Sequence, residues 1–208
     1  MAIERLLEEV ENLNRVFDQC VRDYHITDSI DAKQGHFEDE LLLPFYQKCW
    51  VDSVQWHLED EIRRPGIDNS FALELKRRID ASNQVRTNQV EGLDDLFLER
   101  FKSTKPKDSA RINTESPAWA IDRLSILALK LYHMKQEAER SEAGKEHTDL
   151  CLYKLRILQE QRRDLSLAIA QLLEDLQAGN RVMKVYRQMK MYNDPKLNPS
   201  LYSSKQQG

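Results

Sequence analysis

The densest run of chemistry-bearing side chains is Gln55-Trp56-His57-Leu58-Glu59-Asp60-Glu61. His57 and Glu61 are four residues apart, so on a helix they stand one turn above each other, at the edge of its apolar face. His133 and Glu137 repeat that spacing further along the chain. Two histidine–carboxylate pairs facing each other form a donor set for a divalent metal, which makes His57, Glu61, His133 and Glu137 the candidate ligands. Trp56 falls on one face with Asp52, Glu59 and Asp60. A large aromatic among acids implies contact with a ligand or with a covering helix.

A second set consists of polar residues standing where an apolar one is due. Cys151, Leu155, Leu158, Arg162, Leu165, Ile169, Leu172 and Leu176 form a seam with a guanidinium at its centre. Between Leu75 and Ile79 and the later Leu93, Leu96 and Phe97, the stripe positions fall on Ser82, Arg86 and Gln89, with Asp80 and Asn83 close by. A charge buried there must be paired, hydrogen-bonded or in contact with a ligand. Two readings stand open. One is an internal network joining Arg86 or Arg162 to Asp80, Asp122 or Asp164, or arginines reaching out to water. The other is a site where two guanidinium forks hold a phosphate or carboxylate. Asp122, Ser125 and His133 share one helical stripe, and Arg123 follows directly on Asp122. The candidate ligand-binding residues are therefore Trp56, His57, Asp60, Asp80, Asn83 and Arg86 in the first half, with Asp122, Arg123, His133 and Arg162 in the second.

Acid pairs offer another chemistry. Glu59, Asp60 and Glu61, with Glu38 or Asp39 before them and Asp80 after, could hold Mg²⁺ against a nucleotide phosphate, as in helical pyrophosphohydrolases. The doubled acidic motif of such enzymes is not cleanly present. Near the C-terminus Arg181, Lys184, Arg187, Lys190 and Lys196 interleave with Tyr186, Tyr192 and Tyr202. The net charge of −4 argues against nucleic acid as the main partner. No Gly-rich phosphate loop, G-x-S-x-G, H-E-x-x-H or CxxC pair occurs.

The elements that must position these residues are helices. The chain has 208 residues, 40% hydrophobic and 32% charged, with six glycines and six prolines. That balance supports a real core and disfavours a turn-rich all-β fold. Apolar residues at helical spacing predict helices over 2–24, 37–63, about 68–101, 116–140 and up to 177, then a short sixth over about 182–192. Pro44 either kinks the second helix or starts its second part. The fourth is apolar almost all round from Trp119 to Met134, which predicts a central place. The fold class is an all-α antiparallel bundle of about five to six helices with a polar layer in mid-bundle. Residues 1–192 form one helical domain and 193–208 an extended tail. Cys20, Cys49 and Cys151 are few, scattered and in apolar surroundings, which fits buried reduced thiols. No signal peptide or membrane span is visible, so a cytoplasmic protein is expected.

Several segments resemble the domain-of-unknown-function family DUF4254. These are Gln55-Trp56-His57 with Glu59-Asp60, Ile62-Arg63 and Pro65, then Arg78-Ile79-Asp80 with Asn83-Gln84 and Arg86. Further on, Pro117-Ala118-Trp119 with Ile121-Asp122-Arg123-Leu124-Ser125 and Lys130, Tyr132-His133-Met134 continue the resemblance. The most specific match is Lys184-Val185-Tyr186-Arg187-Gln188-Met189-Lys190-Met191-Tyr192-Asn193-Asp194-Pro195. The resemblance implies a bacterial cytoplasmic protein and implies no activity. The residues themselves favour a binding or interaction module with an Arg-containing polar pocket for a small anionic metabolite or a protein partner. A metal-dependent phosphohydrolase and an oligomerising structural protein are the alternatives.

Overall fold

Five long helices carry the fold in the computed structural model, which describes residues 2–202 apart from 190, 192, 193 and 195. They are α1 (Ala2–Thr27), α2 (Leu43–Glu61), α3 (Asn69–Phe101), α4 (Pro117–Ala138) and α5 (Lys145–Gln177), followed by the single turn α6 (Pro199–Tyr202). Among the described residues there is no sheet, only an isolated bridge between Arg111 and Arg181. No described helix is long and apolar enough to cross a membrane.

The starts of the helices follow from local chemistry. The Asp68 carboxylate accepts from the backbone N–H groups of Ser70 and Phe71, capping α3. Ser116 caps α4 through the Trp119 N–H, and Pro117 fills the first turn, where no N–H is missed. Pro44 lies in the first turn of α2 and starts that helix instead of kinking it. Residues 37–42, expected as helix, are therefore irregular. They remain anchored, because Phe37 stacks on Tyr46 at 4.4 Å and Asp39 accepts from the N–H of Leu41. Gly179 closes α5 with φ of +72°, and a Cβ there would stand 2.7 Å from the Lys105 carbonyl oxygen, so only glycine fits.

The α4 helix packs against α1, α2, α3 and α5. It buries Ala118, Ala120, Ile121, Leu124, Ala128 and Leu129, as its all-round apolar sequence requires. The α1 stripe Leu6, Val10, Leu13, Phe17, Cys20 and Tyr24 is buried throughout. Cross-contacts pair α2 with α3 and α1 with α5 in antiparallel fashion: Asp52 meets Arg86 while Gln55 meets Asn83, and Asn14 meets Ser166 while Asp18 meets Arg162. The helices α3 and α5 do not form a packed pair. All three cysteines are free and buried.

Over the described residues 182–189 the expected sixth helix does not form. Residues 182–189 run without helix because their backbone bonds go to a neighbouring loop: the Val182 N–H donates to Arg111 O at 2.9 Å. Further along, the Gln188 N–H donates to Glu91 Oε1 at 2.8 Å. The basic residues here are largely spent on the protein's own acids, Arg181 on Asp175 and Arg187 on Asp95 and Glu91. Lys190 and Tyr192, read with that helix, lie outside the described residues. The turn α6 falls in the stretch expected to be extended.

One core residue conflicts with its surroundings. Asp94 is fully buried and neither carboxylate oxygen has a hydrogen-bond partner. Burial holds its carboxyl above the usual carboxylate range, with Ser116 and Arg187 pulling the other way. The native state thus keeps a proton that the unfolded chain releases above about pH 4, and the cost grows as pH rises from there towards the native value. Asp94→Asn is expected to raise the melting temperature at pH 7 relative to wild type, with the gain vanishing below about pH 4. Thermal unfolding across that pH range checks it.

Candidate functional site

The mid-bundle polar layer exists, and it joins α2, α3 and α4. Lys48 and Asp52 on α2 are both fully buried. Lys48 Nζ stands 2.5 Å from Asp52 Oδ2 and 2.5 Å from Asp122 Oδ1 on α4. From α3, Arg86 Nε donates to Asp52 Oδ1 at 2.8 Å and Nη2 donates to Asp122 Oδ1 at 2.6 Å. The Ser125 hydroxyl donates to Asp52 Oδ2 at 2.6 Å. Two cations face two anions, so the layer is neutral. Burial works against the charge of Arg86, yet Asp52 and Asp122 more than offset it and raise its pKa. A cleft of about 840 Å³ on one side and a cavity of about 400 Å³ on the other both touch Arg86.

The structure places the remaining arginine elsewhere. Arg162 makes a two-pronged pair with Asp18 and donates to Asn14 O, both on α1. With α4 between their helices, Arg86 and Arg162 serve separate networks and do not form a two-fork anion pocket. Asp80 pairs with Lys76 on the exposed face of α3, away from the layer. Asn83 accepts from Gln55 Nε2 at 2.7 Å and steadies that side chain. Arg123 pairs with Glu115 at the mouth of the larger cleft. Asp60 lines the smaller cavity beside Trp56. The α2 acids do not converge on Asp80, since Glu59 turns to Arg63 and Glu61 to Arg64.

The histidines converge instead. His25 in the last turn of α1, His57 in α2 and His133 in α4 bring one ligand atom each to within 4.8 Å of one another. Glu61 and Glu137 do not join them, because Glu137 pairs with Arg140 and His147. Trp56 is covered from within: its ring stacks on His133 at 5.0 Å, the planes 8° apart. Tyr24 and Tyr132 wall the cluster on other sides, at 4.8 Å from His57 and 4.1 Å from His25.

The ring nitrogens are assigned by their partners. His25 Nδ1 lies 2.6 Å from Val21 O, and His57 Nδ1 lies 2.8 Å from Ser53 O. A carbonyl oxygen only accepts, so each Nδ1 carries a proton, and in a neutral ring of that tautomer Nε2 presents a lone pair. Nε2 of His25 and Nε2 of His133 are buried without any hydrogen-bond partner. His57 Nε2 faces Asp28 Oδ1 at 3.2 Å, acceptor against acceptor unless a proton or a cation stands there. Burial lowers the pKa of His25, and His57 adds to this. Burial, then His25 and His57, push His133 down to about 4. Neutral imidazoles with Nδ1 held by backbone carbonyls are the form in which histidine binds a metal.

Sequence spacing named His57 and His133 but missed His25, which has no carboxylate one turn away and shares no motif with them. It also missed Lys48, whose i, i+4 relation to Asp52 inside an apolar run was the available signal.

An all-α bundle with a charge-neutral polar layer and a three-histidine cluster is the class that this fold and site define. The chain belongs to the family described as "Protein of unknown function (DUF4254)", whose model matches residues 44–185. His57, His133 and all members of the polar layer lie within that span, while His25 and Asp28 precede it. No curated protein and no solved structure matches the chain.

The layer makes a stability prediction. Lys48→Met leaves two buried carboxylates against one guanidinium, at a cost of about 3–5 kcal/mol. In a chain of this size that lowers the melting temperature by roughly 10 °C. Arg162→Met, which breaks a partly exposed pair, is expected to cost about 1 kcal/mol or less. Paired thermal melts of the two variants check the contrast.

Proposed function

We propose that this protein is a helical metal-binding module that holds one divalent transition ion on His25, His57 and His133. The observation that carries the reading is the convergence of three imidazoles, each with one ligand atom within 4.8 Å of the others, with Nε2 of His25 and of His133 buried without a hydrogen-bond partner among the described residues. Two buried ring nitrogens without partners cost about 1–3 kcal/mol each, which a cation on those atoms would reverse. An ion bound at about 2.1 Å in tetrahedral geometry needs nitrogens about 3.4 Å apart, so side-chain shifts of about 1 Å complete the site. Three nitrogen donors select Zn²⁺, Co²⁺, Ni²⁺ or Cu²⁺ over Mg²⁺ and Ca²⁺, which prefer oxygen. The ion would tie together the end of α1, the second half of α2 and the second half of α4.

The test starts from full-length protein stripped with a chelator. Zn²⁺ at about 100 times its Kd is expected to add about 2.7 kcal/mol, a rise of several degrees in melting temperature. Co²⁺ is expected to bind one per chain and give visible absorption bands. His25→Ala and His133→Ala should each abolish the shift and the bands, and Mg²⁺ should produce neither. Wild type that binds none of these transition ions would overturn the reading and leave His57 as the protonated partner of Asp28.

A further inference from the structure

A groove opens where α1, α4 and α5 meet, with a volume of about 870 Å³, enough for a small-molecule ligand. Its apolar lining comes from Val21, Ala128, Leu131 and Leu155, and its polar lining includes Asn14 and Arg162. Arg162 is held in place, because Nη1 and Nη2 donate to Asp18 and Nη2 also to Asn14 O. No described residue takes up its Nε–H. Asn14 is 3% exposed. Its Nδ2 donates to Ser166 Oγ at 2.9 Å, and its Oδ1 is buried without a hydrogen-bond partner among the described residues. Turning the amide over exchanges the unmatched oxygen for an unmatched nitrogen, so one polar atom of this side chain lacks a partner either way. A hydroxyl, donor and acceptor at once, serves both orientations.

Charge decides what else the ligand carries. The groove sets Arg22, Lys135, Arg162 and Arg163 against Glu11, Asp18 and Glu139, four cations to three acids, on a chain whose net charge is −4. Arg22 and Arg163 have no ion-pair partner among the described residues, and Lys135 reaches Glu139 only at 3.8 Å on the surface. The cleft beside Arg86 is the contrast. There four cations meet four acids, Arg86 is spent on Asp52 and Asp122, Arg123 on Glu115, and Arg181 on Asp175. A local cationic excess in an acidic protein attracts an anion. We infer that the groove between α1, α4 and α5 binds a phosphate monoester of a polyol, at a site separate from the histidine cluster. Two unpaired guanidinium groups and an ammonium match the near-double charge and three acceptor oxygens of a phosphate better than the single charge of a carboxylate. The carbon skeleton lies over the apolar lining, and a ligand hydroxyl meets the unmatched atom of Asn14. Asn14, Asp18 and Arg22 follow each other at one-turn spacing on α1, so the two ends of the site stand about 12 Å apart along the helix. The long side chain of Arg22 shortens that span to the length of a sugar phosphate.

The experiment is calorimetric titration of the full-length protein in the presence of a chelator, so that no metal ion bridges protein and phosphate. The probes are glycerol 3-phosphate, ribose 5-phosphate and glucose 6-phosphate, with methyl phosphate as the monoester that has no hydroxyl arm. At least one polyol phosphate is expected to bind one per chain, about tenfold or more tighter than methyl phosphate, the worth of a hydrogen bond to an otherwise unmatched buried group. Arg22→Ala and Arg163→Ala remove exposed side chains, so both variants should fold and melt like wild type. Each is expected to weaken the tightest probe by about tenfold, the loss of one charge-assisted contact. Arg5→Ala removes the same charge from α1 outside the groove and should leave the affinity unchanged. No binding of any polyol phosphate at millimolar concentration overturns the inference. Methyl phosphate binding as tightly as the polyol phosphates overturns it too, because Asn14 then takes no part. Arg5→Ala weakening the probe as much as Arg22→Ala would show diffuse attraction in place of a site.

Discussion

Lys48 holds two carboxylates from two helices while Arg86 clamps the same pair from a third, and this four-charge knot constrains everything around it. Each member is buried at a cost of several kcal/mol unless the others stand in place. Sliding or rotating α2, α3 or α4 by one residue would strand a charge, so the knot fixes the mutual register of all three. The consequences run along the helices. Trp56 follows Asp52 by one turn, and His57 comes next to it. His133 follows Asp122 by eleven residues, which returns to the same face of α4 within about 20°. Locking Asp52 against Asp122 therefore turns His57 and His133 towards each other, one end of the bundle away.

That geometry explains which parts of the site were legible in the sequence. Arg86 announced itself by standing in an apolar stripe, and Asp122 by sharing a stripe with Ser125 and His133. Lys48 did not, because it sits among Tyr46, Cys49, Trp50 and Val51 and a single lysine in such a run reads as a turn of the polar face. The face that Asp52 shares with Trp56 called for a ligand or a covering helix, and helices supply cover: Asp52 is buried by the knot, and the half-buried Trp56 ring stacks on His133 of α4. Arg162 obeyed the same rule as Arg86, yet its partner is Asp18 on α1. Periodicity shows that a charge needs a partner and not which helix provides it.

The third histidine was out of reach for a different reason. Where the end of α1 crosses α2 depends on the irregular segment 28–42, which no periodicity describes. That segment is held by tertiary contacts, among them Arg78 donating to Ile30 O and Trp50 Nε1 donating to Ala32 O. The stretch after α5 failed likewise. Val182, Val185 and Tyr186 have helical spacing, but the backbone of that stretch finds partners in the 105–111 loop and on α3, and those bonds compete with helix formation. Five helices were written in apolar periodicity, whereas the two irregular segments were written in contacts between distant residues.

The two polar clusters differ in a way that separates architecture from function. In the knot, every charge meets its opposite and the Ser125 hydroxyl takes up a spare oxygen. Such closure specifies a register and leaves no chemistry over. In the histidine cluster the inventory does not close. Val21 O and Ser53 O consume one nitrogen each of His25 and His57, Nε2 of His57 faces the Asp28 carboxylate, and Nε2 of His25 and of His133 lie buried without a partner among the described residues. The rings of Tyr24, Tyr132 and Trp56 surround them with apolar surface and contribute no donor among the described contacts. On the reading proposed above, a cation held on these rings would close that inventory.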